Sequence, residues 1–436
     1  MNDLPLGDAI AFDVFLAHPS GNQFFRHLAE SLAEARILGG LASCLNWGGG
    51  AAWWGKKLLP RRLSAELERR SFGEGWETPM LNHPFREAAR LAAQRMGWTK
   101  LVAHESGPFC VDAVYQDFDR WLASRCFKGD LPGRAVYAYE DAAFEIFSAA
   151  KSMGKSRIYD LPIAYWETGR RLMSEEAERH PAWQGTLGGG IKDSEAKCDR
   201  KRRELELANL VVVPSTFVAE SLPLWAKNKQ VVISPFGSPH TIPHLSTGSR
   251  GTKGPLRVLF AGSMGQRKGL ADLFEAIRGL HRSDVELVVL GSPLEPLDFY
   301  RSQLSGFTFE AGRPHREVLQ LMSSCHVFCL PSIVEGRALV MQEAMSQGLP
   351  LLITPNTGGE DLIEEGITGF LLPIRSPDKI AEKIDWCADH REALVAMSQA
   401  AIKKAAEYTW ESYGHSISSA IQELLQNPSH TATVHA

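Results

Sequence analysis

Short apolar runs alternate with longer segments of helical periodicity through most of the 436 residues. This is the pattern of an α/β protein. A parallel strand covered on both faces reads as a near-continuous run of Val, Leu, Ile and Phe, whereas the helix that returns the chain shows one apolar stripe. In the first half the pattern predicts strands over 12–16, 101–103, 135–138, 157–160, 210–213 and 231–234, with helices over 24–35, 86–95, 142–151 and 216–225 among the segments between them. From 239 to 255 the period is lost in a stretch rich in Pro, Ser, Thr and Gly, centred on Ser246-Thr247-Gly248-Ser249-Arg250-Gly251, which reads as a linker. The alternation then restarts, with strands expected over 257–261, 285–290, 308–310, 327–330, 351–354 and 370–372 and single helices between them. Three further helices are expected over 377–390, 393–407 and 410–425. The reading is two doubly wound units in tandem, of about 200 residues each.

Composition changes this picture little. Hydrophobic content of 44% and charged content of 22% are ordinary for a globular protein, and a net charge of −4 gives no reason to expect nucleic acid. The seven cysteines are odd in number and form no Cys-x-x-Cys pair, which suggests neither a disulfide framework nor a zinc site. Cys325 and Cys329 lie in an apolar strand-like run and are expected to be buried thiols. Asp3, Asp8 and Asp13 interrupt the N-terminal apolar run, so it does not read as a signal peptide, and no apolar stretch reaches membrane-spanning length. A cytoplasmic protein is expected.

The most informative segment is Pro331-Ser332-Ile333-Val334-Glu335-Gly336, which follows the strand at 327–330 and leads into a helix expected from Arg337 to Gln347. In a doubly wound sheet the loop after a strand and the N-terminus of the next helix form the ligand crevice, and free N–H groups there favour phosphate. Carboxylates beside such a crevice, Glu335 and Glu343, would repel phosphate but accept hydrogen bonds from vicinal hydroxyls. A diphosphate flanked by two polyols describes a nucleotide sugar. The alternative, two glutamates decorating a helix surface, is weakened by a second phosphate-compatible loop. That loop is Gly262-Ser263-Met264-Gly265-Gln266-Arg267-Lys268-Gly269, where glycines admit a close backbone approach and a cation closes the turn. It lacks Gly-x-Gly-x-x-Gly followed by an acidic residue, which argues against a nicotinamide-dependent oxidoreductase.

These segments resemble glycosyltransferase family 4, the retaining GT-B enzymes. The resemblance rests on Glu335 to Glu343 as a Glu-x7-Glu motif, with Ala344-Met345, Gly348-Leu349-Pro350, Thr354-Pro355-Asn356-Thr357-Gly358-Gly359 and Gly366-Ile367-Thr368-Gly369-Phe370 beyond it. Its strongest part runs over 257–375 and a looser part over 130–240. The resemblance implies the fold class α/β, GT-B, with two Rossmann-like domains facing each other across a cleft. An N-terminal, acceptor-side domain is expected over 1–243 and a donor domain over 254–410, with a C-terminal helix at 411–427 packing back on the first domain. The implied activity is retaining glycosyl transfer, of hexosyltransferase type, from a nucleotide diphosphate sugar to an acceptor hydroxyl in polysaccharide, glycolipid or glycoconjugate biosynthesis. The alternatives are a sugar-nucleotide epimerase on the same fold and a non-catalytic GT-B sugar-binding protein.

Carried over residue by residue, Glu343 would bind the ribose, Glu335 the donor sugar and Lys268 the diphosphate. Backbone amides around Gly336, Arg337, Ala338, Leu339 and Val340 would face the donor, with Gly262 in the facing loop. Many relatives carry Arg where Ser263 stands, which makes Arg267 a candidate for that charge. No metal or other cofactor is implied, and Asp117-Phe118-Asp119 falls in a helical run that discounts it as a cation motif. On the acceptor side the candidates are His18, Gly21 and Asn22, for which a plain helix cap is the alternative, together with His104, Tyr139 and Glu140. Tyr139 and Glu140 stand where many relatives carry a histidine pair. Trp47, Trp53 and Trp54 beside Lys56, Lys57, Arg61 and Arg62 suit either a solvated basic helix edge or a lipid-linked acceptor and peripheral contact with the inner face of a membrane.

Overall fold

The computed structural model describes residues 13–46, 78, 80–239 and 254–426. The linker core and the Trp47, Trp53 and Trp54 segment lie outside the described residues. Two all-parallel sheets carry the molecule. The first contains β1 (Val14–Ala17), β2 (Leu38–Ser43), β3 (Met80–Asn82), β4 (Ala135–Tyr139), β5 (Ser156–Asp160), β6 (Leu210–Val213) and β7 (Gln230–Ile233), in the order β3-β2-β1-β4-β5-β6-β7. The second contains β8 (Leu256–Ala261), β9 (Val285–Gly291), β10 (Phe307–Ala311), β11 (Val327–Leu330), β12 (Leu351–Ile353) and β13 (Gly369–Leu371), in the order β10-β9-β8-β11-β12-β13. Central strands such as Val-Phe-Leu-Ala in β1 and Val-Phe-Cys-Leu in β11 are buried throughout, as sheets covered by helices on both faces require. Cys325 and Cys329 are among these buried free thiols.

In both sheets the chain runs outward from a central strand, returns, and continues on its other side. The strand order therefore reverses between β1 and β4 and between β8 and β11, which are the places where doubly wound folds bind ligands. The 262–269 loop and the 331–336 segment follow β8 and β11, the two strands of this reversal.

The expected strand at 101–103 is instead part of a single turn of tight helix, Thr99–Val102. Its residues find no sheet partner, and the Leu101 carbonyl accepts from the Phe109 N–H within a compact local loop. The helix expected over 216–225 stops at Glu220, and the one expected from Arg337 begins at Leu339. Unforeseen elements include β2, whose Leu-Gly-Gly-Leu-Ala-Ser lacks β-branched residues, and the three-residue edge strand β3.

Among the described residues the halves are joined at several places, three of which bury side chains or bring the backbones together. The final helix, Trp410–Gln426, buries Tyr413, Ile417, Ile421 and Leu424 in a core shared with Val14, Leu28 and Leu32 of the first domain. Each such side chain contributes about 1.5–3 kcal/mol when taken fully from water. In the other direction, the turn Pro181–Thr186 inserts Trp183 into the core of the second domain, edge-to-face with Phe274, Phe299 and Tyr300 at 5.8, 5.0 and 5.7 Å. Third, a Cβ at Gly336 would come within 1.7 Å of the Pro162 carbonyl oxygen, so only glycine permits this approach of the two backbones, which Ser215 secures by donating to the Gly336 carbonyl at 2.7 Å.

Candidate active site

A cavity of about 550 Å³ opens at the β8/β11 reversal and is closed by the first domain. Phe24, Pro162 and Phe236 form the first domain's wall, and Gly262, Lys268, Glu335 and residues 337–340 form much of the opposite one. The turn after β8 brings Lys268 back over Gly262. A Cβ at Gly262, which sits at φ 149°, would meet the Lys268 side chain at 2.8 Å, so this glycine makes room for the ammonium.

Lys268 forms an ion pair with Glu335, whose other oxygen accepts from Arg267 at 3.1 Å. Burial works to raise the Glu335 pKa, but the two cations outweigh it and hold the carboxyl below its usual range. Two cations thus face one carboxylate, which leaves a surplus positive charge at the cavity wall. Arg267 also donates to the Val334 carbonyl at 3.0 Å, so it clasps the two loops together. Among the described residues, the backbone N–H groups of Leu339 and Val340, at the start of the Leu339–Ser346 helix, have no protein acceptor. Surplus cation and free N–H groups converge on one concave wall, the requirement for a bound dianion.

Other expected residues sit differently. Glu343 lies on the same helix but is engaged by His315, whose Nε2 is 3.1 Å from its carboxylate. This hydrogen bond raises the His315 pKa above the usual imidazole value. The Arg337 side chain is wholly buried, donates to Gln342, the Gly358 carbonyl and Asp361, and stacks over Tyr408, so its guanidinium is a packing element. Gly336 serves the interdomain contact described above and is not part of the cavity lining.

On the first domain, Nδ1 of His18 accepts from the backbone N–H groups of Ser20 and Gly21, both at 3.1 Å, and burial lowers its pKa to about 3. Asn22 caps the Gln23–Glu34 helix by accepting from the Phe25 N–H. The Tyr139 ring packs on His18 at 4.1 Å, and Glu140 is buried against Lys201 at 2.9 Å. His104 lies apart from these, 3.0 Å from Asp193. Asp119 is buried, paired with Arg200, and accepts from the N–H groups of Glu145 and Ile146, where it anchors a helix start.

Sequence reading did not single out Ser292, Gly312, Arg313, Val318 or Gln342. The first four line the cavity from the ends of β9 and β10 and the helix after them. Their signal was positional: Gly291-Ser292 ends β9, the neighbour of β8, and Gly312-Arg313 follows β10, the neighbour of β9. Gln342 donates to the Phe236 carbonyl at 2.5 Å and to Ser238 at 3.1 Å, tying the Leu339–Ser346 helix to the chain that enters the linker.

Residues 248–404 match the family model for glycosyl transferases group 1. Among curated proteins, the chain is 25% identical over 183 residues to a D-inositol 3-phosphate glycosyltransferase of Corynebacterium glutamicum, covering 39% of this chain and 44% of that one. It is 30% identical over 160 residues to a GDP-mannose-dependent alpha-mannosyltransferase of the same species, covering 35% and 36%. The matches therefore span less than half the length of these relatives. Among solved structures, sucrose-phosphate synthase from Thermosynechococcus elongatus superposes with a TM-score of 0.65 at 14% identity, over 95% of this chain and 99% of that one. Anabaena HepE in complex with UDP and glucose superposes with a TM-score of 0.58 at 14% identity, over 95% and 100%. The fold is GT-B.

Proposed function

We propose, from a chain that carries a glycosyl transferases group 1 domain on a GT-B fold, that it is a retaining glycosyltransferase of the family 4 type. It would move a hexose from a nucleotide diphosphate sugar to the hydroxyl of a glycan or lipid-linked acceptor, in polysaccharide or glycoconjugate biosynthesis. The observation that carries this reading is the surplus positive charge of Lys268 and Arg267 over Glu335, with Lys268 and the free amides of Leu339 and Val340 on one wall of the cavity and Arg267 behind it.

In the reaction, the bond between the anomeric carbon and the diphosphate oxygen breaks while a bond to the acceptor oxygen forms. Charge grows on the departing diphosphate, so fixed donors aimed at that oxygen lower the barrier. Lys268 and the amides supply them without a metal ion. When the diphosphate arrives, Lys268 turns from Glu335 to phosphate, and the Glu335 carboxylate is released to accept from donor sugar hydroxyls. Glu343 exchanges His315 for the ribose. Binding of UDP by HepE makes uridine nucleotides reasonable first probes. Among the described residues no helix is long and apolar enough to cross a membrane.

The test is a thermal-shift screen of nucleotide diphosphate sugars, followed by product analysis with the stabilising donor and a panel of acceptors. Transfer with the donor's anomeric configuration kept supports the reading. Turnover of donor to an epimer with no acceptor present, or tight donor binding with no turnover on any acceptor, would replace it with the epimerase or the binding protein.

A further inference from the structure

Two clusters of metal-compatible side chains lie away from the donor cavity, and their charge balance separates them. Glu176, His180 and Asp272 meet at the junction of the domains, but Arg375 and Arg179 already pair with the two carboxylates and Gln266 donates to both. Two anions face two cations, so an ion entering there would have no charge to neutralise.

The second cluster is His104, Glu105 and Asp193. Nε2 of His104 lies 3.0 Å from the Asp193 carboxylate and 3.3 Å from that of Glu105, and Asp112 stands 3.7 Å from the other ring nitrogen. Lys197 is shared between Asp112 at 2.7 Å and Asp193 at 3.1 Å, while the next ammonium, Lys201, also acts on Asp193 but is itself paired with Glu140 at 2.9 Å and Asp141 at 3.5 Å. Three carboxylates against one ammonium leave two negative charges when the imidazole is neutral.

We propose that His104, Glu105 and Asp193 bind a divalent first-row transition metal. Ligand atoms about 2.0–2.2 Å from a tetrahedral centre lie about 3.3–3.6 Å apart, near the 3.0 and 3.3 Å that already separate His104 from Asp193 and Glu105. One imidazole nitrogen with two carboxylate oxygens suits zinc, manganese or iron better than magnesium or calcium. A divalent ion would bring the cluster to neutrality. His104 is 38% exposed, which gives the ion an entry path, while the Asp193 side chain is nearly buried and fixed. The Ser194 N–H donates to the Glu105 carboxylate at 2.8 Å and orients it. Three protein ligands leave a coordination position for water or a ligand oxygen. Ile191, two residues before Asp193, packs in the small cluster containing Ile333 and Val334, the residues that lead into Glu335. The metal would thus pin the start of the Glu195–Leu207 helix to the His104 loop, on the first domain's side of the junction.

This site does not depend on the donor reading, and its test reads metal directly. The full chain, stripped with a chelator, is titrated with zinc or manganese chloride in a calorimeter and with cobalt chloride in the visible spectrum. The expected result is one saturable equivalent, a cobalt d–d band, and no matching response to magnesium. His104→Ala, at a partly exposed position where circular dichroism can verify the fold, should weaken uptake by about tenfold or more, as should Asp193→Asn. Lys197→Ala, which removes the competing ammonium, should tighten it. Absence of saturable uptake of either metal, or uptake equal in wild type and His104→Ala, would overturn the proposal.

Discussion

The two sheets reverse strand order in the same way, yet the two reversal points are chemically opposite. Beside β1 and β4, the candidate side chains are engaged by their own fold: His18 accepts from two amides, Asn22 caps a helix, and Glu140 is paired with Lys201. Beside β8 and β11, Lys268 and Arg267 share one carboxylate. Among the described residues both helix starts keep two N–H groups without an acceptor, Gln23 and Phe24 in the first domain and Leu339 and Val340 in the second, so the surplus cation is what separates the two places. A group saturated from within keeps nothing for a ligand, whereas a surplus cation and a free N–H do. The same topology thus pairs its charged side chains in one domain and leaves a surplus cation beside the cavity in the other.

The strongest way to break this comparison is to separate the two walls. Trp183→Ala empties a site in the second domain's core that the first domain fills, and should cost about 3–5 kcal/mol of stability. Urea denaturation monitored by circular dichroism measures it, and a loss below about 1 kcal/mol would show that the domains are not joined through this residue. Lys268→Ala should lower turnover by roughly 10²-fold, because it removes charge stabilisation of the leaving group. Arg267→Ala should have a smaller effect on chemistry, since its guanidinium is also held by the Val334 carbonyl. Equal rates for wild type and Lys268→Ala would remove the ammonium from the reaction.

Glu343 offers a finer probe. Its hydrogen bond to a ribose would be worth about 1.5–3 kcal/mol for a charged acceptor, but the His315 contact must first be surrendered. Glu343→Ala should therefore weaken nucleotide binding by less than that full amount. The His315 pKa is raised, so its pairing with Glu343 is fully present below the ordinary imidazole value and is lost as pH rises through the folded value. Because His315 is 58% exposed, the pair is worth under about 1 kcal/mol. Nucleotide affinity should rise with pH across that window, and His315→Ala should flatten the part of the rise that belongs to the protein. Parallel pH profiles for the two proteins would exclude the exchange.

The donor half was legible because its signals are local. Lys268 and Glu335 follow strands that are apolar apart from Arg257, and both loops sit at the ends of the strands that flank the reversal. The other wall was obscure because saturation is a tertiary property. Nothing in His18-Pro19-Ser20-Gly21-Asn22 says that the imidazole will be consumed by two backbone amides. Likewise the resemblance places the Gly336 amide toward the donor, whereas its missing side chain serves the Pro162 backbone across the domain junction. Strand β2 escaped notice because Gly39 and Gly40 lower its local propensity, although burial between neighbours holds it in the sheet.

If the anion site lies in the second domain alone, calorimetric titration with a nucleoside diphosphate and its monophosphate will separate wild type and Lys268→Ala from Tyr139→Phe and Asn22→Ala. Wild type should favour the diphosphate, Lys268→Ala should lose most of this preference, and the two first-domain variants should keep it. A preference unchanged in Lys268→Ala, or lost in Tyr139→Phe or Asn22→Ala with the fold intact, would contradict that placement.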